Sequence, residues 1–209
     1  MTTPMRIDNV LNSPSKLAVL RVFASRQGFK ATGRAVAGLA GFSAPSTHEA
    51  LKELHSLDVL TMEVIGKQHI YALNENNRMV EKIIRPLFRI ERGFKEEVRE
   101  FLLHEIQKTK VRRKIVSLIL YGSAHTETAG RGSDVDLAVI AARTADVRRV
   151  EHVFLSEIAP RFKTYFGVQL DPYVKSAAEF RMRLRHRRPP VSTLIKSYAT
   201  LFGKEPLEV

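Results

Sequence analysis

The feature that most limits what this chain can become is a pair of apolar runs separated by a turn-rich gap. Lys114-Ile115-Val116-Ser117-Leu118-Ile119-Leu120-Tyr121 is apolar almost throughout, as a strand buried on both faces requires, and it stops at Gly122-Ser123. Ten residues rich in turn formers follow, then Asp134-Val135-Asp136-Leu137-Ala138-Val139-Ile140, a second run of strand length opened by two aspartates. Residues two apart on a strand point the same way. Asp134 and Asp136 should therefore share one face while Val135, Leu137 and Val139 pack on the other. Two carboxylates held together raise each other's pKa unless a cation lies between them, so the pair is a natural Mg2+ site. Gly122 would let backbone approach a phosphate closely, and the Ser123 hydroxyl and amide could hold it there.

A third carboxylate is expected on a neighbouring strand. Gly167-Val168-Gln169-Leu170-Asp171-Pro172-Tyr173-Val174 supplies it, with Asp171 on the face of Gln169 and Tyr173 and opposite Val168 and Leu170. Between the strands, 145–162 reads as an amphipathic helix whose apolar stripe is Val147, Val150, Val153, Phe154 and Ile158. Strand, aspartate strand, helix, aspartate strand makes a small mixed-sheet domain.

The first part of the chain has a different rhythm. Ser13-Pro14 is an N-cap followed by a first-turn proline, and it opens a helix to about Arg26, stopped by Gly28. A second helix spans 33–39, the stretch 40–43 turns, and Ser43 caps a third helix over 44–57. The period then becomes two over 59–64 and 68–73, a hairpin. From Thr32 to Leu73 the run resembles bacterial winged helix-turn-helix regulators, which implies a DNA-binding role with Ser46, Lys52 and Lys67 as contacts. The third helix, burying Thr47, Leu51 and Leu54, turns Pro45, Glu49, Lys52, Glu53 and Ser56 outward, and two glutamates there would oppose phosphates. The competing use is dimerisation, giving a homodimer, or docking of a protein partner. Residues 77–110 read as helix punctuated by Pro86 and Gly93, and the domain boundary falls near residue 90: a winged helix-turn-helix domain with its connecting helix over 1–90, a second domain over 91–209. The fold class is α+β.

Composition narrows the chemistry. The absence of cysteine excludes disulfides and thiolate metal sites, and His125, His152 and His186 lack ligand spacing, so no zinc is expected. A formal charge of +12 with pI near 10.2 points to a polyanionic partner. The excess lies in the C-terminal part, notably at Arg181, Arg183, Arg185, Arg187 and Arg188, where Phe180, Met182 and Leu184 interleave as packing residues. No apolar run is long enough to span a bilayer and the start lacks a secretory layout, so a cytoplasmic protein with no membrane partner is expected.

Gly122-Ser123, ten residues, then Asp134-Val135-Asp136 resembles the signature of the DNA polymerase beta type nucleotidyltransferase superfamily, in particular its minimal nucleotidyltransferases. The likeness covers roughly 93–206, because Ser197 to Pro206 also resembles the tail of those domains, and the fused winged helix resembles a bacterial subgroup. Where many relatives carry Arg soon after the serine, this chain has Ala124, His125 and Thr126. The resemblance implies transfer of NMP, with ATP as the NTP, to an acceptor hydroxyl. Asp134, Asp136 and Asp171 would be both catalytic and metal residues on two Mg2+ ions, and Gly122, Ser123, Ser133 and Arg131 would bind the nucleotide. It also implies an acceptor such as a partner HEPN-type toxin, an antibiotic or an RNA end. The other class of function is a DNA-binding transcriptional regulator whose second domain binds nucleotide or a partner without turnover.

Overall fold

The computed structural model describes residues 6–122 and 134–209, and divides the chain into two compact units, Met1–Gly93 and Phe94–Val209. Among the described residues no helix is long and apolar enough to cross a membrane.

In the first unit a short helix α1 (Ile7–Val10) precedes α2 (Pro14–Ala24), whose Ser13 cap accepts the Lys16 amide at 3.2 Å. Thr32 and Ser43 cap α3 (Gly33–Ala40) and α4 (Ala44–Ser56) in the same way, and Gly41, at φ +69°, supplies the left-handed residue that ends α3. The expected hairpin is β2 (Leu60–Ile65) and β3 (Gln68–Leu73), turning at Gly66-Lys67. A strand that local pattern did not reveal, β1 (Lys30–Thr32), pairs antiparallel with β3 and completes a sheet of order β1-β3-β2. Phe23, Val36, Leu51, Leu54 and Leu60 meet in one core. One outward placement on α4 is corrected: Glu53 is half-buried and pairs with Lys16, a buried lysine that also donates to the Asn9 carbonyl at 2.9 Å and Asn12 Oδ1 at 3.0 Å. A buried ammonium needs all three partners, so Glu53 is committed to the fold.

Helix α5 (Arg85–Gln107) follows one wide turn at Val80–Ile84 and runs on through Pro86 and Gly93. In the second unit, a four-stranded sheet has the order β6-β5-β4-β7, with β4 (Ile115–Tyr121), β5 (Val135–Ala141), β6 (Leu170–Ser176) and β7 (Tyr198–Gly203). β4 runs antiparallel to β5 and β7, while β5 and β6 are parallel and joined by α6 (Val147–Val153), a wide turn and α7 (Ala159–Phe166). Strand alternation sends Leu118, Leu120, Leu137 and Val139 to one side, under Val98, Leu102, Phe154 and Phe162. Ile119, Ala138 and Ile140 face the other side, under Phe180 of α8 (Ala177–Arg185) and Val191 and Leu194 of α9 (Val191–Leu194). Met182 does not share that core and is exposed. β7, α8 and α9 were not legible as elements, and the strand expected from Gly167 begins only at Leu170, because Gly167 at φ +72° terminates α7.

Candidate active site

The carboxylates gather where β5 and β6 begin and β4 ends. In the parallel pair Asp136 stands directly beside Asp171, and across the antiparallel pair Asp136 faces Tyr121, which in turn faces Tyr198 on β7. One row across the sheet is therefore Asp171, Asp136, Tyr121 and Tyr198. Adjacent strands lie about 4.8 Å apart, so the two acids are direct neighbours on one face. Asp171 is exposed and Asp136 half-buried; Asp134 is exposed and precedes β5, which starts at Val135 and not at Asp134 as expected. Ser123, Arg131 and Ser133 lie outside the described residues.

Burial and charge crowding act together at Asp136. Its carboxyl is pushed above the usual carboxylate range, first by burial and then by the negative charges of Asp171 and Asp134. Burial, followed by the charges of Asp136 and Asp171, drives the Tyr121 phenol far up, so it stays a neutral hydroxyl. Tyr173, two residues past Asp171 on the same face, keeps its hydroxyl buried with no hydrogen-bond partner among the described residues, and burial is the main reason its phenol is raised.

Gly122 has a more definite task than the sequence indicated. Its φ is +75°, and a Cβ there would overlap Asp136 Oδ2 and lie 3.1 Å from Asp136 Cγ. The missing side chain is the space the Asp136 carboxylate occupies.

Among the described residues, no three or more His, Asp or Glu side chains converge as a ready cage for a metal ion. Mg2+ is typically held by one or two carboxylates together with substrate phosphates, and hard oxygens whose mutual repulsion already raises Asp136 suit that kind of ion.

In the first unit, a cleft of about 400 Å³ between α3, α4 and the hairpin is lined by Arg34, His48, Lys67, Gln68 and His69 among others. Lys67 belongs to this cleft. Ser46 and Lys52 do not line it, and the Ser46 hydroxyl lies 2.8 Å from that of Ser43, the capping residue of α4.

The family model described as "Nucleotidyltransferase domain" matches residues 96–185, the stretch of the second unit that holds the carboxylate row. A Methanocaldococcus jannaschii protein named "Putative protein adenylyltransferase" is 28% identical over 98 residues, which are 47% of this chain and 65% of that protein. The chain thus spans just under two thirds of the length of this relative. Two solved structures are similar in part. A predicted DNA-binding transcriptional regulator from E. coli shows 17% identity and a TM-score of 0.35, covering 40% of this chain and 84% of that one. A toxin-antitoxin with AMP-PNP shows 19% identity and a TM-score of 0.34, covering 51% of this chain and 74% of that one.

The matched stretch of the nucleotidyltransferase domain contains Gly122, Asp134, Asp136 and Asp171. Sequence reasoning placed Tyr173 on the strand face of Asp171 but missed Tyr121 as a neighbour of the acids. The usable signal was present, since Tyr121 ends one apolar run immediately before Gly122.

Proposed function

We propose that the nucleotidyltransferase domain transfers a nucleoside monophosphate, AMP from ATP, to an acceptor hydroxyl on a partner protein. The observation that carries this reading is the pairing of Asp136 with Asp171 in adjacent parallel strands, with Gly122 cleared for the Asp136 carboxylate. The name of the M. jannaschii relative supports AMP and a protein acceptor, and by resemblance that acceptor is a HEPN-type toxin. Bound by Asp134, Asp136 and Asp171 together with the triphosphate, two Mg2+ ions would supply neutralisation of the phosphoryl charge. Asp171, exposed at the edge of the row, takes the proton of the acceptor hydroxyl as that oxygen attacks the α-phosphorus. Gly122, Ser123, Ser133 and Arg131 hold the β- and γ-phosphates as pyrophosphate leaves. The neutral Tyr121 hydroxyl beside Asp136 adds no charge to a site already crowded with anions.

The decisive experiment incubates the protein with each α-labelled NTP, Mg2+ and a fractionated host lysate. Label on a protein from ATP, lost with Asp136→Asn, supports the reading; label on RNA or a small molecule changes the acceptor class. No transfer and no thermal stabilisation by Mg-ATP would favour the second reading.

That second reading is a winged helix-turn-helix regulator over 1–90, favoured by the basic cleft beside the hairpin. DNA would be held through phosphates by Arg34 and Lys67, with Lys52 and Ser46 on α4 as lesser contacts. The pairing of Glu53 with Lys16 removes one of the two charges that argued against phosphates there. Salt-dependent DNA binding without NTP consumption is its signature.

A further inference from the structure

At the end of the sheet remote from Asp136, cations gather around the start of β4. The chain arrives there through Lys108, Lys110, Arg112, Arg113 and Lys114, five bases within seven residues. The Lys114 carbonyl accepts the Ala142 amide at 2.8 Å, which brings the end of β5 and Arg143 alongside. Two buried acids face this group, Glu105 and Asp146, each only 4% exposed.

Each acid is shared between two bases. Glu105 pairs with Lys108 at 2.6 Å and Arg161 at 2.7 Å, and Asp146 pairs with Arg143 at 2.9 Å and with Lys114. Hydrogen bonds from Lys108, and then from Arg161 against the opposing effect of burial, hold the Glu105 carboxyl below its usual range; Arg143 and Lys114 do the same for Asp146. Each triad is therefore one buried anion fixing two cations, with a net charge of one positive. Two basic partners satisfy more of each buried carboxylate's lone pairs than one would, and they leave each triad with one held positive charge in excess. Arg112 lies over the Phe202 ring, 4.0 Å from its centroid, which restrains a further guanidinium. Lys110 and Arg113 are exposed and have no ion-pair partner among the described residues.

These cations do not neutralise the catalytic acids. Five residues of β5 separate Asp136 from Ala141, roughly 17 Å of strand. That is about twice the Debye length of roughly 8 Å at physiological salt. A surface of restrained cations whose two buried acids are already consumed, with Glu157 beside Arg161 as an exposed acid, is still positive in sum and matches a ligand that is anionic at every step and carries no cations. A protein face mixes both signs; a phosphodiester chain does not.

We propose that this end of the nucleotidyltransferase domain is a docking surface for the backbone of a nucleic acid, gripped through phosphates without reading bases. The surface shares no residue with the first-unit cleft or with the proposed transfer site, so it is testable with no NTP or metal present.

The experiment measures binding of the full chain to a mixed-sequence single-stranded RNA and to its DNA counterpart across a salt series. Lys110→Gln with Arg113→Gln removes two exposed charges that no contact of the fold uses. Lys95→Gln with Lys163→Gln removes two exposed charges elsewhere on the same unit, leaving net charge matched. For the first variant the salt slope should fall by about 1.5, and affinity at moderate salt should drop roughly tenfold for both strands. The charge-matched variant should stay near wild type. Equal losses in the two variants would mean that overall charge governs binding and would overturn the proposal. So would an unchanged slope in the first variant, no binding by the wild type, or a poly-glutamate peptide that competes as well as the RNA.

Discussion

Substitution of Gly122 by Ala separates the geometry of Asp136 from its mere presence. The added methyl carbon would overlap Oδ2 of Asp136, with Cγ only 3.1 Å away, so the carboxylate must retreat by roughly 1 Å. A misplacement of that size at a reacting centre costs on the order of a hundredfold in rate. The stability effect is smaller. Holding a non-glycine residue at φ +75° costs about 1–2 kcal/mol, offset by roughly 0.4–1 kcal/mol from the stiffer unfolded chain. That backbone contribution, a net loss near 1 kcal/mol, lowers Tm by about 3–5 °C for a unit of this size, and displacing the Asp136 carboxylate adds to it. In an Asp136→Ala background the overlap is gone, so Gly122→Ala should then cost only its backbone strain, and a double-mutant cycle on Tm should show positive coupling. Transfer to the acceptor and melting are measured for wild type, both single variants and the double. Wild-type transfer by Gly122→Ala, or strict additivity of the two Tm changes, would refute the claim that the glycine exists to seat this carboxylate.

Asp136→Asn should leave the unliganded protein as heat-stable as wild type or more so. The raised carboxyl makes wild-type stability fall as pH climbs from the ordinary carboxylate range through the Asp136 pKa, so the variant's advantage should grow over that window and be flat above it, as thermal melts at a series of pH values will show. Stabilisation by Mg-ATP should shrink in the same variant, read as a smaller ligand-induced rise in Tm. Asp171→Asn should retain more nucleotide-induced Tm shift than Asp136→Asn while losing at least about two orders of magnitude in transfer, since its role is at the acceptor hydroxyl. Tyr173→Phe removes a buried hydroxyl with no partner among the described residues and should raise Tm, by up to about 1 kcal/mol in stability; a large fall would mean the hydroxyl has a partner.

What could be read from the chain in advance divides along physical lines. The two apolar runs, the Ser13 and Ser43 caps and the hairpin are local signals: each rests on period, side-chain chemistry or turn residues within a few positions. β1 has three residues, too few to show a period, and exists because Lys30 to Thr32 find the free edge of β3. β7 is likewise defined by pairing with β4, interrupted by a register shift between Leu118 and Ile119 that no local pattern announces. Glu53 sits at an outward helical position, and only the arrival of Lys16 from another helix draws it in. The three aspartates were visible as residue types at a telling spacing, whereas the overlap forbidden by Gly122 involves a side chain from another strand and needs coordinates.

The placing of Asp171 shows how the core and the site depend on one another. Along β6 the buried residues are Leu170, Pro172, Val174 and Ser176, alternating with Asp171, Tyr173 and Lys175. A slip of one residue against β5 would turn Leu170 and Val174 out of the core shared with Leu137 and Val139 and would carry Asp171 to the opposite face. Burying those two side chains is worth roughly 1.5–3 kcal/mol each, enough to hold the register against repulsion between Asp171 and Asp136. The repulsion in turn cannot relax by sliding, so it persists and adds to burial in raising the carboxyl of Asp136. The apolar face of β6 therefore maintains the electrostatic tension at the site, and a cation between the carboxylates relieves it without moving a strand while both acids stay ionised.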